Sequence, residues 1–542
     1  MHVVMIKHGS SKNRIALVIS LFIAIYATIF MRLVHYGMVE SPEKQFISQQ
    51  ASFSRPVILD RNGKILAMDI TAFSLYAEPR RITDIDEVAE KVNRIIPQLS
   101  LKTLYGKLSS SSGFVWLARQ LTPAVKNQLM LAGIPGIGFR PELKRIYPAG
   151  RTTAHIIGLT NVDNAGVAGL EKWIDGQGID DIRHVGLANA ESLAPVITSI
   201  DLRVQHALHY ELSKALVEYG AAGVGGVILN IKSGEIIALA SLPDFDPQFP
   251  TEAQLPDRLN RITASASEMG SIIKTFTTAM AIEYAGADLT TIYDATNPIK
   301  VGNQLVRDFF GKKRPLTLEE VFLYSSNIGS AHEALSVGVE AHRKFLVETG
   351  LLNRIHLELP EIAKPMEPRH WTPPTSITAA FGHGFATTPL QTAVGIGGIL
   401  NKGILVAPTL LKRSHSHTDL QARRIVDEKA SAILRHLYRL SAVKGSGRRA
   451  NIAGLRVGGK TGTAEKVIDG RYAKNRNFNV FAAAMPMDDP TYVYLIVVDD
   501  PAPKSERRGQ TAGLTAAPLA GEIIRKTFSF LNLTPQFEGQ NI

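Results

Sequence analysis

The sequence predicts a membrane-anchored, multidomain chain: an N-terminal transmembrane helix, a mixed α+β module, then an α/β domain with an antiparallel sheet flanked by helices. Three observations predict it. Residues 15–36 form an apolar run behind Arg14, two further apolar runs meet at Asp60-Arg61-Asn62-Gly63, and from Val196 the pattern becomes strand, helix, strand, strand. The 542 residues leave room for two or three domains of roughly 150 residues each. With 45% hydrophobic and 20% charged residues, wholesale disorder is excluded. The chain has no cysteine, which removes disulfides, Cys-ligated zinc, iron–sulfur clusters and a thiol nucleophile.

Taking the elements in order, residues 15–31 are 17 uncharged, mostly aliphatic positions, and Arg32 can snorkel to an interface. The 22 residues of 15–36 reach ~33 Å as a helix, enough for a hydrocarbon core of roughly 30 Å. Residues 1–14 carry Lys7, Lys12 and Arg14 without an acid, so the positive-inside bias makes them a cytoplasmic tail and sends the rest outward. No small-x-small cleavage site follows the run, which favours an uncleaved anchor over a signal peptide. The net charge of +11 suits anionic surfaces, but a domain outside the cytoplasm meets no chromosomal nucleic acid.

Asn62-Gly63 between apolar runs signals a hairpin opening a module over 37–195. A second domain over 196–530 starts with a strand at 196–201 and a helix whose apolar face is Val204, Leu208, Leu212 and Ala215. Strands are expected at 226–231, 235–240, 478–485 and 492–498, and residues 531–542 read as a flexible tail.

Three short signatures in the second domain carry chemistry. In Ser271-Ile272-Ile273-Lys274, a helical spacing of three places an amine beside a hydroxyl, and a serine needs such a base to become a nucleophile. A helix start also offers aligned N–H groups to a developing oxyanion. Ser325-Ser326-Asn327 sets a hydroxyl two positions from a carboxamide on an expected loop. Lys460-Thr461-Gly462-Thr463 follows two glycines in a strand-like context that permits close approach of a substrate. Each is weak alone. Ser41 to Lys44 and Ser441 to Lys444 repeat the first spacing and Ser11 to Asn13 the second, but Ser41 falls in the stalk just beyond the expected span, Ser441 lies only 19 residues before Lys460, and Ser11 falls in the expected cytoplasmic tail.

In that order the triplet resembles the set found in penicillin-binding proteins and class A β-lactamases. The second domain resembles a penicillin-binding transpeptidase domain of serine β-lactamase-like fold, and the first resembles the pedestal, or dimerisation-type, domain of class B penicillin-binding proteins. Pedestal segments 55–63, 145–150, 155–163 and 169–172 are more similar to the cell-division (FtsI) type than to the elongation type. The resemblance implies a peptidoglycan D,D-transpeptidase that cross-links stem peptides at the septum and is inhibited by β-lactams. It also implies an inner-membrane location, a SEDS glycosyltransferase and other division proteins as partners, and no cofactor. By the same resemblance, Ser271 attacks the carbonyl between terminal D-alanines, with Lys274 as base. Ser325 relays the proton, Asn327 holds the donor amide and the lysine, and Lys460, Thr461, Gly462 and Thr463 bind the terminal carboxylate. The N–H groups of Ser271 and Thr463 make the oxyanion hole.

Two departures stand out: Met269 where the family has proline, and Pro56 where it has glycine. The first is expected to loosen the loop presenting Ser271. His383 lies in a glycine-rich segment and is read as structural, His415-Ser416-His417 lacks a third metal ligand, and the +7 of residues 412–449 is read as a solvated face. An elongation-type transpeptidase, a β-lactamase or β-lactam sensor, and a non-catalytic division scaffold remain as alternatives.

Overall fold

The computed structural model describes residues 10–38, 54–179, 193–302, 304–413, 422–468, 470–502 and 511–537. Two compact units result, residues 1–53 and residues 54–542. The first contains helix α1 (Ser10–Met38, 29 residues). Its described side chains, among them Leu17, Phe22, Ile23 and Phe30, are exposed apolar groups. Among the described residues no helix is long and apolar enough to cross a membrane. The side chains described are 16–32 and 34, so the expected span over 15–36 is only partly covered.

The second unit opens with β1 (Ile58–Leu59) and β2 (Ile65–Ala77), the expected antiparallel hairpin. Its turn is set by Asp60, whose Oδ1 accepts from the Asn62 and Lys64 N–H groups at 2.8 Å each. Helices α2 (Ile85–Ile95) and α3 (Leu101–Leu108) are capped by Asp84 and Ser100, whose side chains take otherwise unpaired first-turn N–H groups. Strands β3 (Val115–Leu121) and β4 (Ile137–Ile146) both pair antiparallel with β2. Leu75, Val88, Val92, Leu104, Leu117 and Leu129 form the core of this part.

Four sequence-distant segments of the pedestal converge on a buried ionic cluster. The Arg55 guanidinium, fully buried, donates to Glu171 Oε2 (2.7 Å), Asp175 Oδ1 (2.6 Å) and the Asn164 carbonyl (3.0 Å). Arg145 donates to Glu171 Oε1 (2.6 Å), Asp69 Oδ1 (3.2 Å) and the Pro56 carbonyl (2.9 Å). Pro56 therefore contributes its carbonyl oxygen to this cluster. Desolvating such charges is tolerable only when every donor is matched, and here each guanidinium meets carboxylates and a carbonyl.

The expected boundary at 195/196 falls inside this first sheet: β5 (Val196–Ile197) lies parallel to β1. Two residues later the same segment bonds the second sheet, with the Ser199 hydroxyl donating to Ile236 O at 2.6 Å. Helix α4 (Leu202–Glu218) follows, then β6 (Gly223–Asn230) and β7 (Ile236–Leu242). Next come α5 (Lys274–Ala285), α6 (Leu318–Tyr324), α7 (Asn327–Val337), α8 (Pro389–Leu400) and α9 (Glu428–Lys444). Strands β8 (Gly458–Ile468), β9 (Arg471–Met485) and β10 (Tyr492–Asp499) and helix α10 (Ala516–Thr527) finish the unit.

The second sheet runs β8-β9-β10-β6-β7, antiparallel throughout. Both faces are covered, so the central part of its inner strands is near-continuously apolar, as in Val224–Leu229 and Val493–Val498, rather than alternating. In β10, Val493, Leu495 and Val497 face the core shared with Phe276, Met280 and Ile396. Tyr494, Ile496 and Val498 face Leu208 and Leu212 of α4 and Leu519 and Ile523 of α10. The expected tail begins later than residue 531: Leu531 is buried and the Gln536 N–H donates to Gly454 O at 2.7 Å. A segment without periodicity can still dock by single contacts.

Candidate active site

Ser271 sits in a 3-10 turn, Gly270–Ile272, that runs into α5, of which Lys274 is the first residue. In 3-10 geometry residues i and i+3 eclipse, so the turn holds the two side chains to one face. The turn is pressed against edge strand β8. A Cβ at Gly462 would lie 2.3 Å from Met269 O, and one at Gly270 would lie 2.6 Å from Thr463 O. Gly270 also has φ +52, a left-handed conformation in which a side chain would be strained. Met269 is buried in the main core, where its side chain packs beneath this turn.

Ser325 lies between α6 and α7 with φ 57 and ψ 46. A left-handed serine costs of order 1 kcal/mol and persists only where neighbours fix it. Its hydroxyl accepts from both lysines, from Lys274 Nζ at 3.1 Å and from Lys460 Nζ at 3.0 Å. Lys274 Nζ also donates to Ser325 O (2.5 Å) and Asn327 Oδ1 (2.8 Å), so its three donors go to Ser325 and Asn327 rather than to Ser271. Lys460 Nζ further donates to Thr461 O (3.2 Å) and lies 5.6 Å over the Phe322 ring. Thr461 and Thr463 are tied by hydroxyl bonds, to Ser446 Oγ at 2.6 Å and from the Ala512 N–H at 3.0 Å.

Both lysines are about 1% exposed. Burial, reinforced by repulsion from Lys460, holds the Lys274 amine well below the usual lysine range, while Asp308 and Glu333 pull it back up. Burial pushes Lys460 down to about 7. The site thus holds two amines whose neutral forms are favoured by burial, the condition under which one serves as base.

Three carboxylates escaped the sequence reasoning. Asp308 Oδ1 accepts from the Asn327 and Ile328 N–H groups (2.6 and 3.0 Å) and Oδ2 from Ser326 Oγ (2.8 Å), capping α7 from outside. Beside it, Arg307 O accepts from Asn327 Nδ2 (2.9 Å), which turns Oδ1 toward Lys274. Glu333, fully buried six residues further along α7, accepts from Thr278 Oγ1 at 3.2 Å and is pushed up to about 8 by burial. Glu268 stands just before the nucleophile turn. No local pattern marks a carboxylate that acts across the fold.

His383 stacks between Phe381 (5.3 Å) and Tyr472 (6.0 Å), and burial lowers its pKa. His415-Ser416-His417, Ser41 and Lys44 lie outside the described residues. The decoy Ser441 is buried within α9 and Lys444 is exposed. Several cations of the 412–449 stretch serve the fold: Arg413 donates to Ser233 O (2.6 Å), Arg424 to Lys402 O (2.9 Å) and Arg435 to Asp488 O (3.2 Å).

With this geometry in place, comparison with known proteins decides the family. Residues 224–525 match the family described as penicillin binding protein transpeptidase domain, and residues 51–175 match the penicillin-binding protein dimerisation domain. The chain is a class B penicillin-binding protein. Among its relatives, the probable peptidoglycan D,D-transpeptidase FtsI of Caulobacter vibrioides is 36% identical over 91% of this chain and 84% of its own length. The peptidoglycan D,D-transpeptidase FtsI of Escherichia coli K12 is 28% identical over 90% of this chain and 85% of its own length. A crystal structure of penicillin-binding protein 3 from Mycobacterium, complexed with aztreonam, aligns with TM-score 0.66. At 23% identity, covering 89% of this chain and 97% of the other, it shows the class B penicillin-binding protein fold.

Proposed function

We propose that this class B penicillin-binding protein is a septal peptidoglycan D,D-transpeptidase acting through an acyl-enzyme on Ser271, with β-lactams as inhibitors. The observation that carries this reading is the Ser325 hydroxyl, held between Lys274 and Lys460 across sequence separations of 51 and 135 residues. A neutral Lys274 has one donor fewer and a lone pair to take the Ser271 proton as Oγ attacks the D-alanyl-D-alanine carbonyl. Ser325 then passes a proton to the leaving D-alanine amine. Charged Lys460, with Thr461, Gly462 and Thr463, receives the terminal carboxylate, as a cation flanked by hydroxyls is suited to do. Asn327 orients Lys274 and the donor amide, and the N–H groups of Ser271 and Thr463 hold the oxyanion.

The domain organisation belongs to the same proposal: a cytoplasmic tail at 1–14, a single inner-membrane span at 15–36, and a pedestal leading into a periplasmic transpeptidase domain. The apolar sequence of α1 and the basic residues before it support the anchor. A SEDS glycosyltransferase and other division proteins are the proposed partners of the anchor and pedestal, on the strength of the resemblance to the cell-division type. The test is fluorescent penicillin labelling of wild type and Ser271→Ala, with imaging of the tagged protein in dividing cells. Loss of label in Ser271→Ala and septal signal are expected. Label retained by Ser271→Ala refutes the nucleophile, lateral-wall signal favours an elongation role, and rapid release of bound penicillin a β-lactamase.

A further inference from the structure

A cavity of about 470 Å3 lies beside the nucleophile turn, within the size range of ligand pockets. Its walls are continuous with the segments that hold Ser271. Residues 265–268 run directly into the turn, Gly384 follows the glycine whose backbone touches Gly270, and Glu465 and Lys466 continue β8 beyond Thr463. The cations at its edge are already engaged, since Arg261 Nε and Lys466 Nζ share Asp499, at 3.3 and 2.6 Å. Glu268 is different. Its Oε1 accepts from the Gly384 N–H (2.8 Å) and the Tyr472 hydroxyl (3.1 Å), while its Oε2 is buried without a hydrogen-bond partner. Burial lifts this carboxyl above its usual range, and the Gly384 N–H and Tyr472 hydroxyl bring it only part of the way back.

A buried carboxylate oxygen without a partner is costly unless a donor fills the place, and a cationic donor fills it best. We propose that this cavity is the acceptor site, in which Glu268 Oε2 takes one proton from the ammonium group of the second stem peptide; the neutral amine then attacks the acyl carbonyl, the Ser271 ester bond breaks, and the second proton of the amine passes through Lys274 to Ser271 Oγ. The inference rests on the transpeptidase reading, which requires two peptide substrates. The donor is recognised by its carboxylate at Lys460 and the acceptor by its amine, so one substrate meets a cation and the other an anion on opposite flanks of the turn. This division of charge keeps the two peptides from exchanging places.

The test uses purified protein acylated by an N-acyl-D-alanyl thioester. The acyl group is offered to a stem tripeptide with a free side-chain amine, lysine or diaminopimelate in separate arms, and in a third arm to D-alanine. D-Alanine returns by reversal of the donor reaction through the Lys460 side and so reports that side alone. Glu268→Gln keeps the shape and removes the charge. It is expected to lower transfer to the tripeptide amine by about tenfold relative to D-alanine exchange, the scale of one charge-assisted hydrogen bond. Ala266→Phe, filling the cavity from another wall, is expected to lower the same ratio. An unchanged ratio in both variants, or tripeptide transfer and D-alanine exchange falling together, overturns the acceptor site. A wild-type protein that acylates yet transfers to no tripeptide amine overturns the transpeptidase reading and this site with it.

Discussion

Lys460→Gln separates the roles of the two buried amines. In the wild type, burial holds Lys460 near pH 7, so above that pH the cation proposed to receive the donor carboxylate is progressively lost. The second-order acylation rate reports the free enzyme, so it should fall by about tenfold per pH unit beyond that point. On the acid side the rate rises as Lys274 becomes neutral, with a midpoint well below the ordinary lysine value. Glutamine at 460 keeps a donor toward Ser325 Oγ but removes the charge. Losing one charge-assisted hydrogen bond, worth about 1.5–3 kcal/mol, lowers the plateau by about 10- to 150-fold. Two displacements accompany the loss. The alkaline limb near 7 disappears, because its titrating group is gone, and the acid limb moves to higher pH, because Lys274 no longer feels a neighbouring cation. The assay is stopped-flow acylation by a carboxylate-bearing chromogenic β-lactam from pH 5 to 10. An alkaline limb that persists near 7 in Lys460→Gln refutes the assignment of that limb to Lys460.

Lys274→Arg keeps a cation but cannot release a proton, so acylation should drop by at least about 100-fold with an unchanged thermal melt; near-wild-type acylation would leave Lys274 as an electrostatic partner only. In the pedestal, Arg55→Met leaves Glu171 and Asp175 short of a cation and should cost about 3–5 kcal/mol, read as a lower urea midpoint. Adding Glu171→Gln should recover part of that loss, and strict additivity would show that the cluster is not coupled.

The strands and helices that carry the site were legible because their cues are local. Asn62-Gly63 announced the first hairpin, and the apolar spacing of Val204, Leu208 and Leu212 announced α4. The three signatures that the fold brings together were legible for another reason: each is a short run of adjacent residues, so its order along the chain survives folding. The pairing of a two-residue strand, β5, with the first sheet was not legible, because β5 answers to its partner β1 rather than to its own sequence. The docking of Leu531 was not legible because a single buried side chain leaves no period to detect.

The carboxylates show where reading along the chain stops. Asp308 belongs to a loop 34 residues from Lys274, and Glu333 to a helix that packs on α5, yet both raise the Lys274 pKa while burial and Lys460 lower it. A motif names the groups that react, but the protonation state that lets them react is a sum over elements that the fold alone brings together. The two sets are linked through α7. Its first residue, Asn327, accepts from Lys274, its N-terminus is capped by Asp308, and its sixth residue beyond Asn327 is Glu333. One helix therefore fixes both the direction in which the Lys274 amine points and the charge it feels. A displacement of α7 that preserved every signature residue would still shift the pH at which Ser271 is activated.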